Sequence, residues 1–159
     1  EGEAFFKVAK GQKFDVITEH GIISVLGTKF NVKQRGAYFE VTCYEGLVSV
    51  THNNKATKLK PQDSYKNIDG KLFAAEKENA TQPNWLRGES SFEDVPLKYV
   101  LSELKNQYDI EIKTDNIDTS RLFTGTFTHK NLDLALQSVT IPLNLGFNKS
   151  GNTIRIARE

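Results

Sequence analysis

From Phe6 to Val50, apolar residues fall at every second position in short runs: Phe6 and Val8, Phe14 and Val16, Ile23 and Val25, Phe30 and Val32, Phe39 with Val41 and Cys43, Val48 and Val50. Period two puts each run on one face of a strand. Gly11, Gly21, Gly27, Gly36, Gly46, Gly70 and the pair Asn53-Asn54 fall between the runs. Both residue types tolerate positive φ, so they mark tight turns and bulges. Residues 1–78 therefore predict an all-β module of short strands. A break in parity sharpens this. Val25 and Phe30 are an odd number of positions apart, so a flat strand through both would point them to opposite faces. Gly27 can act as a bend that reverses the buried face, and the strand then turns a corner between two layers. The "GIISV" that begins at Gly21 is echoed by "GLVSV" from Gly46, 46 − 21 = 25 positions on.

Residues 79–84, "NATQPN", are polar and aperiodic and contain Pro83, so the linker is placed there. Beyond Trp85 the period changes. Leu97, Val100, Leu101, Leu104 and Tyr108 form the stripe of an amphipathic helix, with Asp94 as a capping candidate and Pro96 in the first turn. "DIEIKTD" and "RLFTGTFT" read as strands. A second helix follows with Leu132, Ala135, Leu136 and Val139 on one face, Asn131 as its cap and Pro142 at its end. "LNLGF" and "TIRIA" close the chain as strands. A slide of 127 − 92 = 35 residues superposes Phe92 on Phe127, Leu97 on Leu132, Val100 on Ala135, Leu101 on Leu136 and Leu104 on Val139. Residues 85–159 are thus expected to form a small α+β domain with a duplicated βαβ unit, each crossover helix covering the sheet that holds its two strands.

The totals exclude several classes. The 159 residues carry a net charge of +1, without the basic excess or stripe of a dedicated nucleic-acid binder. Lys55, Lys58, Lys60, Lys66 and Lys71 read as solvated strand and turn positions. The single cysteine, Cys43, can form neither an internal disulfide nor a Cys-rich metal site, and its phase with Phe39 and Val41 makes it a small buried hydrophobe. No apolar run approaches the ~18–20 residues needed to span a bilayer. The opening "EGEAFFKV" is already in strand pattern, so the chain is expected to be a fragment of a longer product whose upstream segment decides its address.

Candidate chemistry is sparse. The nucleotide, zinc-protease and nucleophile-elbow motifs are absent. His20, His52 and His129 lie in separate predicted turns and are expected at the surface. "SELK" at Ser102–Lys105 matches the S-x-x-K acylation motif without its companion motifs, so it reads as ordinary helix-face sequence. Asp109 and Glu111 are expected to share the polar face of one strand. Asn79-Ala80-Thr81 and Asn148-Lys149-Ser150 fit the glycosylation sequon, which acts only in a eukaryotic secretory pathway. Trp85 is expected to plug a joint between modules, the other reading being a stacking platform. No catalytic, cofactor or metal residue is assigned.

Across its length the chain resembles the FecR-like anti-sigma regulators. The resemblance rests on "VLGTKFNV" (Val25–Val32), "EGLVSV" (Glu45–Val50) and the turn "LKPQDSY", then on "NWLRGESSFEDVPLKYVLSELKNQYDIEI" and "FTGTFTHKNLDLALQSV". One departure is Gln62, where the family usually has glycine. The C-terminal repeat also looks like the short signalling domain at the N-termini of secretins and TonB-dependent receptors. The resemblance implies a cytoplasmic helical segment that binds an extracytoplasmic-function sigma factor, one upstream transmembrane helix as the only membrane contact, and this portion in the periplasm of a Gram-negative bacterium. The periplasmic portion would contact the signalling domain of an outer-membrane TonB-dependent receptor, with no enzyme activity and no cofactor. The candidate contact is an exposed strand edge comprising Leu122, Phe123, Thr124, Thr126 and Thr128. The alternative function is a carbohydrate-binding β-module with an accessory α+β domain, which needs an aromatic platform, whereas most Tyr and Phe residues here sit in core phase.

Overall fold

A computed structural model of the chain describes residues 1–74 and 79–159; residues 75–78 of the expected β module lie outside the described residues. Nine strands come first: β1 (Gly2–Lys7), β2 (Lys13–Thr18), β3 (Gly21–Leu26), β4 (Lys29–Arg35), β5 (Tyr38–Glu45), β6 (Val48–His52), β7 (Lys55–Leu59), β8 (Ser64–Ile68) and β9 (Lys71–Ala74). Four antiparallel hairpins, β2–β3, β4–β5, β6–β7 and β8–β9, are closed by two-residue turns. Asn53 and Asn54 take φ of 48° and 60°, and Asp69 and Gly70 take 52° and 80°. Positive φ at both central residues gives the primed turns whose twist matches the strands they join. The hairpins alternate between a five-stranded sheet, β1-β4-β5-β8-β9, and a four-stranded sheet, β2-β3-β6-β7. The lysine-rich stretch, which shows little apolar alternation, is divided between the sheets: β7 pairs with β6 in one, and β8 pairs with β5 and β9 in the other.

Alternation between sheets requires the chain to change layer, and Gly27 is where it first does so after a full hairpin. β3 belongs to one sheet and β4 to the other, and both Val25 and Phe30 are buried in the same core. Gly27 has φ +75°, and a Cβ there would lie 2.4 Å from Lys10 Cα and 3.0 Å from the Ala9 carbonyl oxygen. The β5-to-β6 corner uses Gly46 at φ +84°, whose Cβ would meet the Gly27 oxygen at 2.9 Å. The two corners therefore pack backbone against backbone, which excludes a side chain at either position. The echoed "GIISV" and "GLVSV" turn out to be partners: Ile23 lies opposite Val50 and Val25 opposite Val48. Between the sheets lie Ile23, Val25, Phe30, Val32, Phe39, Val41, Cys43, Val48, Val50, Leu59 and Tyr65.

The family-typical glycine position also resolves. Pro61 and Gln62 form the centre of a turn closed by Asp63 N–H to the Lys60 carbonyl at 2.9 Å, and Gln62 has φ 75°. Proline followed by a positive φ is a type II turn, which favours glycine at the second position.

The chain divides into two compact units, Glu1–Pro83 and Asn84–Glu159. Residues 79–83 carry no helix or strand, and Asn84–Arg87 form a 3₁₀ turn containing a half-buried Trp85. The second unit runs β10 (Glu89–Pro96), α1 (Leu97–Tyr108), β11 (Glu111–Asp115), β12 (Leu122–Thr128), α2 (Leu132–Thr140), β13 (Leu145–Ser150) and β14 (Thr153–Arg158). Strand–helix–strand order occurs twice, at the predicted spacing. The crossover expected within one sheet does not form. β10 pairs antiparallel with β12, while β11 and β13 flank β14 in a separate three-stranded sheet. Each unit thus sends its first strand to one sheet and its second to the other.

This arrangement has a pseudo-dyad. Ser91 lies opposite Thr126, its own repeat equivalent, with their hydroxyl oxygens 3.1 Å apart. Phe92 and Phe127, also equivalents, stack at 5.7 Å between centroids. β14 has no counterpart: it runs parallel to β11 and antiparallel to β13, as the dyad demands of a strand between two equivalents. Leu97, Val100, Leu101 and Leu104 of α1 and Ala135, Leu136 and Val139 of α2 are buried, while Tyr108 and Leu132, the remaining members of the two predicted stripes, are half-buried.

Two capping expectations diverge. Asn131 accepts a hydrogen bond from Leu134 N–H at 3.1 Å and caps α2. Asp94 does not cap α1. It sits in a bulge of β10 at φ 49°, bonded to Thr124, and the helix starts at Leu97 directly from the strand. The bulge places Glu93 and Asp94 opposite Thr124 alone, which gives the carboxylate a cross-strand hydroxyl instead of helix N–H groups.

Candidate functional site

The residues expected at a partner-binding edge all lie on β12. In a two-stranded sheet, β12 pairs among the described residues only with β10 and leaves its other edge unpaired there. Leu122 is 56% exposed, Thr124 and Thr126 are exposed, and Thr128 is half-buried. Phe123 is buried, edge-on to Phe92 at 6.1 Å, so its side chain belongs to the core and only its backbone borders the edge. Gly125 makes this possible, since a Cβ there would come within 2.7 Å of Phe123 Cζ. Arg121, just before the strand, anchors its start by donating to the Leu143 carbonyl at 3.0 Å.

The histidines do not converge. His20 bonds the Gly36 carbonyl oxygen at 2.9 Å and stacks on Phe39, and His52 bonds Asn53 at 3.1 Å. His129 lies in the other unit with its Nε2 2.8 Å from Ser90 Oγ. Among the described residues no group of three or more His, Cys, Asp or Glu side chains could hold a metal ion. Ser102 and Lys105 are not joined either, because Lys105 pairs with Glu111 at 3.1 Å. Asp109 and Glu111 do not share a strand face. Asp109 is the left-handed C-cap of α1 at φ 51°, where its carbonyl accepts from Asn152 at 2.9 Å.

The sequence reading missed a buried polar line in the second unit. Glu103, 5% exposed on α1, accepts from the Ser90 hydroxyl at 3.3 Å, and Ser90 in turn meets His129. His129 Nε2 lies 2.8 Å from Ser90 Oγ, and whether it donates or accepts there follows the ring tautomer. This order differs from a hydrolase triad, in which the imidazole stands between acid and nucleophile and takes the serine proton. Here Ser90 stands between Glu103 and His129. The only sequence signal was the position of Glu103 at the margin of the apolar stripe of α1. Nearby, burial raises the pKa of Tyr108, whose hydroxyl donates to the Thr128 carbonyl at 2.6 Å.

Cys43 is fully buried, and burial pushes its thiol up to about 11. Beside the Gly27 corner, Thr28 Oγ1 is buried without a hydrogen-bond partner. In the long connection after β11, Asp118 accepts from both the N–H and the hydroxyl of Ser120, which lowers its pKa.

Fold and surfaces together define a two-unit, β-rich protein that offers strand edges. Residues 1–49 match the family model of the FecR protein, and residues 89–156 match that of the FecR C-terminal domain. The chain belongs to the FecR family of anti-sigma regulators. Two crystal structures of a protein assigned as an anti-sigma factor from Parabacteroides distasonis are similar to it. Each has 27% identity and a TM-score of 0.87 and matches over 100% of this chain and 78% of the neighbour. No curated protein sequence matches the chain significantly. No helix among the described residues is long and apolar enough to cross a membrane.

Proposed function

We propose that this chain is the periplasmic sensing portion of a membrane-anchored anti-sigma regulator. It relays a signal from an outer-membrane TonB-dependent receptor to an extracytoplasmic-function sigma factor by protein–protein contact. Family membership supports the regulatory role. The observation that carries the contact is the unpaired edge of β12 with its exposed Leu122. An unpaired edge offers backbone N–H and C=O groups to an incoming strand, and alternate side chains supply specificity. Leu122, Thr124, Thr126 and Thr128, with the backbone of Phe123, form that edge. Two-stranded sheets are marginal in isolation, so a third strand added there gains stability as well as affinity. The test is titration of the chain with the signalling domains of receptors encoded nearby. Binding should weaken at least ~10-fold, equivalent to about 1.4 kcal/mol, in Leu122→Arg. Failure of every such domain to bind overturns the relay; binding indifferent to Leu122→Arg overturns the assigned edge alone.

A further inference from the structure

β2 stands at the end of the four-stranded sheet and, among the described residues, pairs only with β3. The β2–β3 hairpin closes on Thr18 and Gly21 across a two-residue turn, so doubly hydrogen-bonded pairs fall at Thr18–Gly21, Val16–Ile23 and Phe14–Val25. The primed turn at Asn53-Asn54 fixes the same phase from the far side. It closes on His52 and Lys55, which turns the peptide groups of Thr51 and Ser49 toward Ile22 and Ser24 and leaves those of Ile23 and Val25 for β2. The N–H and C=O groups of Lys13 and Asp15 therefore point to the unpaired edge. Their side chains are exposed, whereas Phe14 packs on Phe6 at 5.6 Å between centroids and Val16 packs on the core. Among the described residues neither Lys13 nor Asp15 joins an ion pair.

We propose that this edge joins two copies of the chain, β2 against β2, into one continuous sheet. The order of charges makes the strand complementary to itself. In an antiparallel pair with its two-fold axis through Phe14, Lys13 lies opposite the partner's Asp15 and Asp15 opposite the partner's Lys13. These are the positions whose peptide groups face the edge, so both pairs also exchange backbone hydrogen bonds. Phe14, in core phase yet 39% exposed, meets the partner's Phe14 in the closer, non-hydrogen-bonded kind of pair. Moving the axis by one residue sets Lys13 against the partner's Lys13, or Asp15 against the partner's Asp15. Opposite charges across strands stabilise and like charges destabilise, so the charges select the register centred on Phe14. Other edges of this unit lack the pattern. β7 carries Lys55 and Lys58 and no carboxylate, and on β1 Glu3 is engaged by Asn31 at 2.8 Å and Lys33 at 3.7 Å.

A contact one strand wide falls well below the ~800 Å² per partner of a standard interface, so association is weak. Sedimentation equilibrium of the 159-residue chain, up to ~1 mM, should show a monomer–dimer equilibrium that weakens with added salt. Lys13→Asp or Asp15→Lys alone sets like charges opposite each other at both symmetry-related pairs and should weaken the dimer at least ~10-fold. The double variant exchanges the two charges and should return to within ~3-fold of the unsubstituted chain, and an equimolar mixture of the two single variants should pair. Hydrogen exchange gives a second reading, in which the amides of Lys13 and Asp15 gain protection as protein concentration rises. A monomer at ~1 mM overturns the proposal. So does a dimer indifferent to the single variants, or one that the double variant fails to restore. Leu122→Arg should leave the dimer unchanged, which separates this contact from the receptor contact at β12; a dimer lost in Leu122→Arg places the meeting of copies at β12 and overturns β2.

Discussion

Replacing Gly27 by alanine tests the corner on which the first unit depends. Two costs add. An L-residue held in the left-handed region costs about 1–2 kcal/mol. The new methyl would also sit 2.4 Å from Lys10 Cα and 3.0 Å from the Ala9 oxygen, both backbone atoms that cannot swing aside. Relief requires the β1–β2 connection to retreat by about 1 Å, which strains the Val8 N–H bond to the Thr28 carbonyl, now 2.9 Å. Losing that bond alone costs ~1 kcal/mol. Gly27→Ala should therefore destabilise the unit by about 3 kcal/mol or more. Gly36→Ala is the control, because Gly36 has φ +54° but no atom within 4 Å of its Cβ position, so it carries the left-handed cost alone. The two variants should differ by about 2 kcal/mol. For a unit spanning residues 1–83 that is a Tm gap of roughly 8–16 °C. Calorimetry gives the gap, and exchange of slow amides in β4 and β5 confirms that it belongs to this unit. Unfolding free energies of the two variants within ~0.5 kcal/mol of each other would refute the close-approach argument, leaving only a conformational role for Gly27.

Thr28→Val removes a buried hydroxyl that has no partner, so urea titration should show a gain of about 1 kcal/mol in place of the usual loss. Gln62→Gly relieves a left-handed φ of 75° worth ~1–2 kcal/mol and adds ~0.5–1 kcal/mol of unfolded-chain entropy, so it should be neutral to stabilising by about 1 kcal/mol; a measured loss would contradict the type II turn. Gly125→Ala should destabilise the second unit by about 1–3 kcal/mol through the Phe123 ring 2.7 Å away, and Phe123→Leu should relieve part of that loss, a coupling of at least ~0.5 kcal/mol in a double-mutant cycle. The Cys43 thiol, raised to about 11, favours its neutral form in the folded state, so its contribution is intact below pH ~9 and declines as pH rises from ~9 to ~11, by about 2–3 kcal/mol in total. Stability against pH in the wild type and Cys43→Ala checks it: the alkaline decline should shrink by that amount in the variant.

The corner at Gly27, the buried phase of Cys43, the two helical stripes and the Asn131 cap were legible because each follows from residues adjacent in sequence. The repeat was legible too, since equal environments at equal spacing select equal residues. Asp94 misled because a carboxylate just before a helix and a carboxylate in a bulge look alike until the opposite strand supplies Thr124. Asp109 misled similarly: its alternation with Glu111 is compatible with a strand, but the end of α1 claims it as a left-handed cap. The line Glu103–Ser90–His129 spans three elements and has no local signature.

The amino-acid order alone determined the periods, the turns and the places where the chain must bend, because those depend on backbone sterics and on which face each side chain takes. Only the tertiary structure decided the partners. It split each strand–helix–strand unit between two sheets, set β14 between β11 and β13, and, among the described residues, left the outer edges of β1, β2 and β12 unpaired. Strand pairing joins residues far apart in the chain, and a period of two says which face of a strand is buried but nothing about which strand lies beside it.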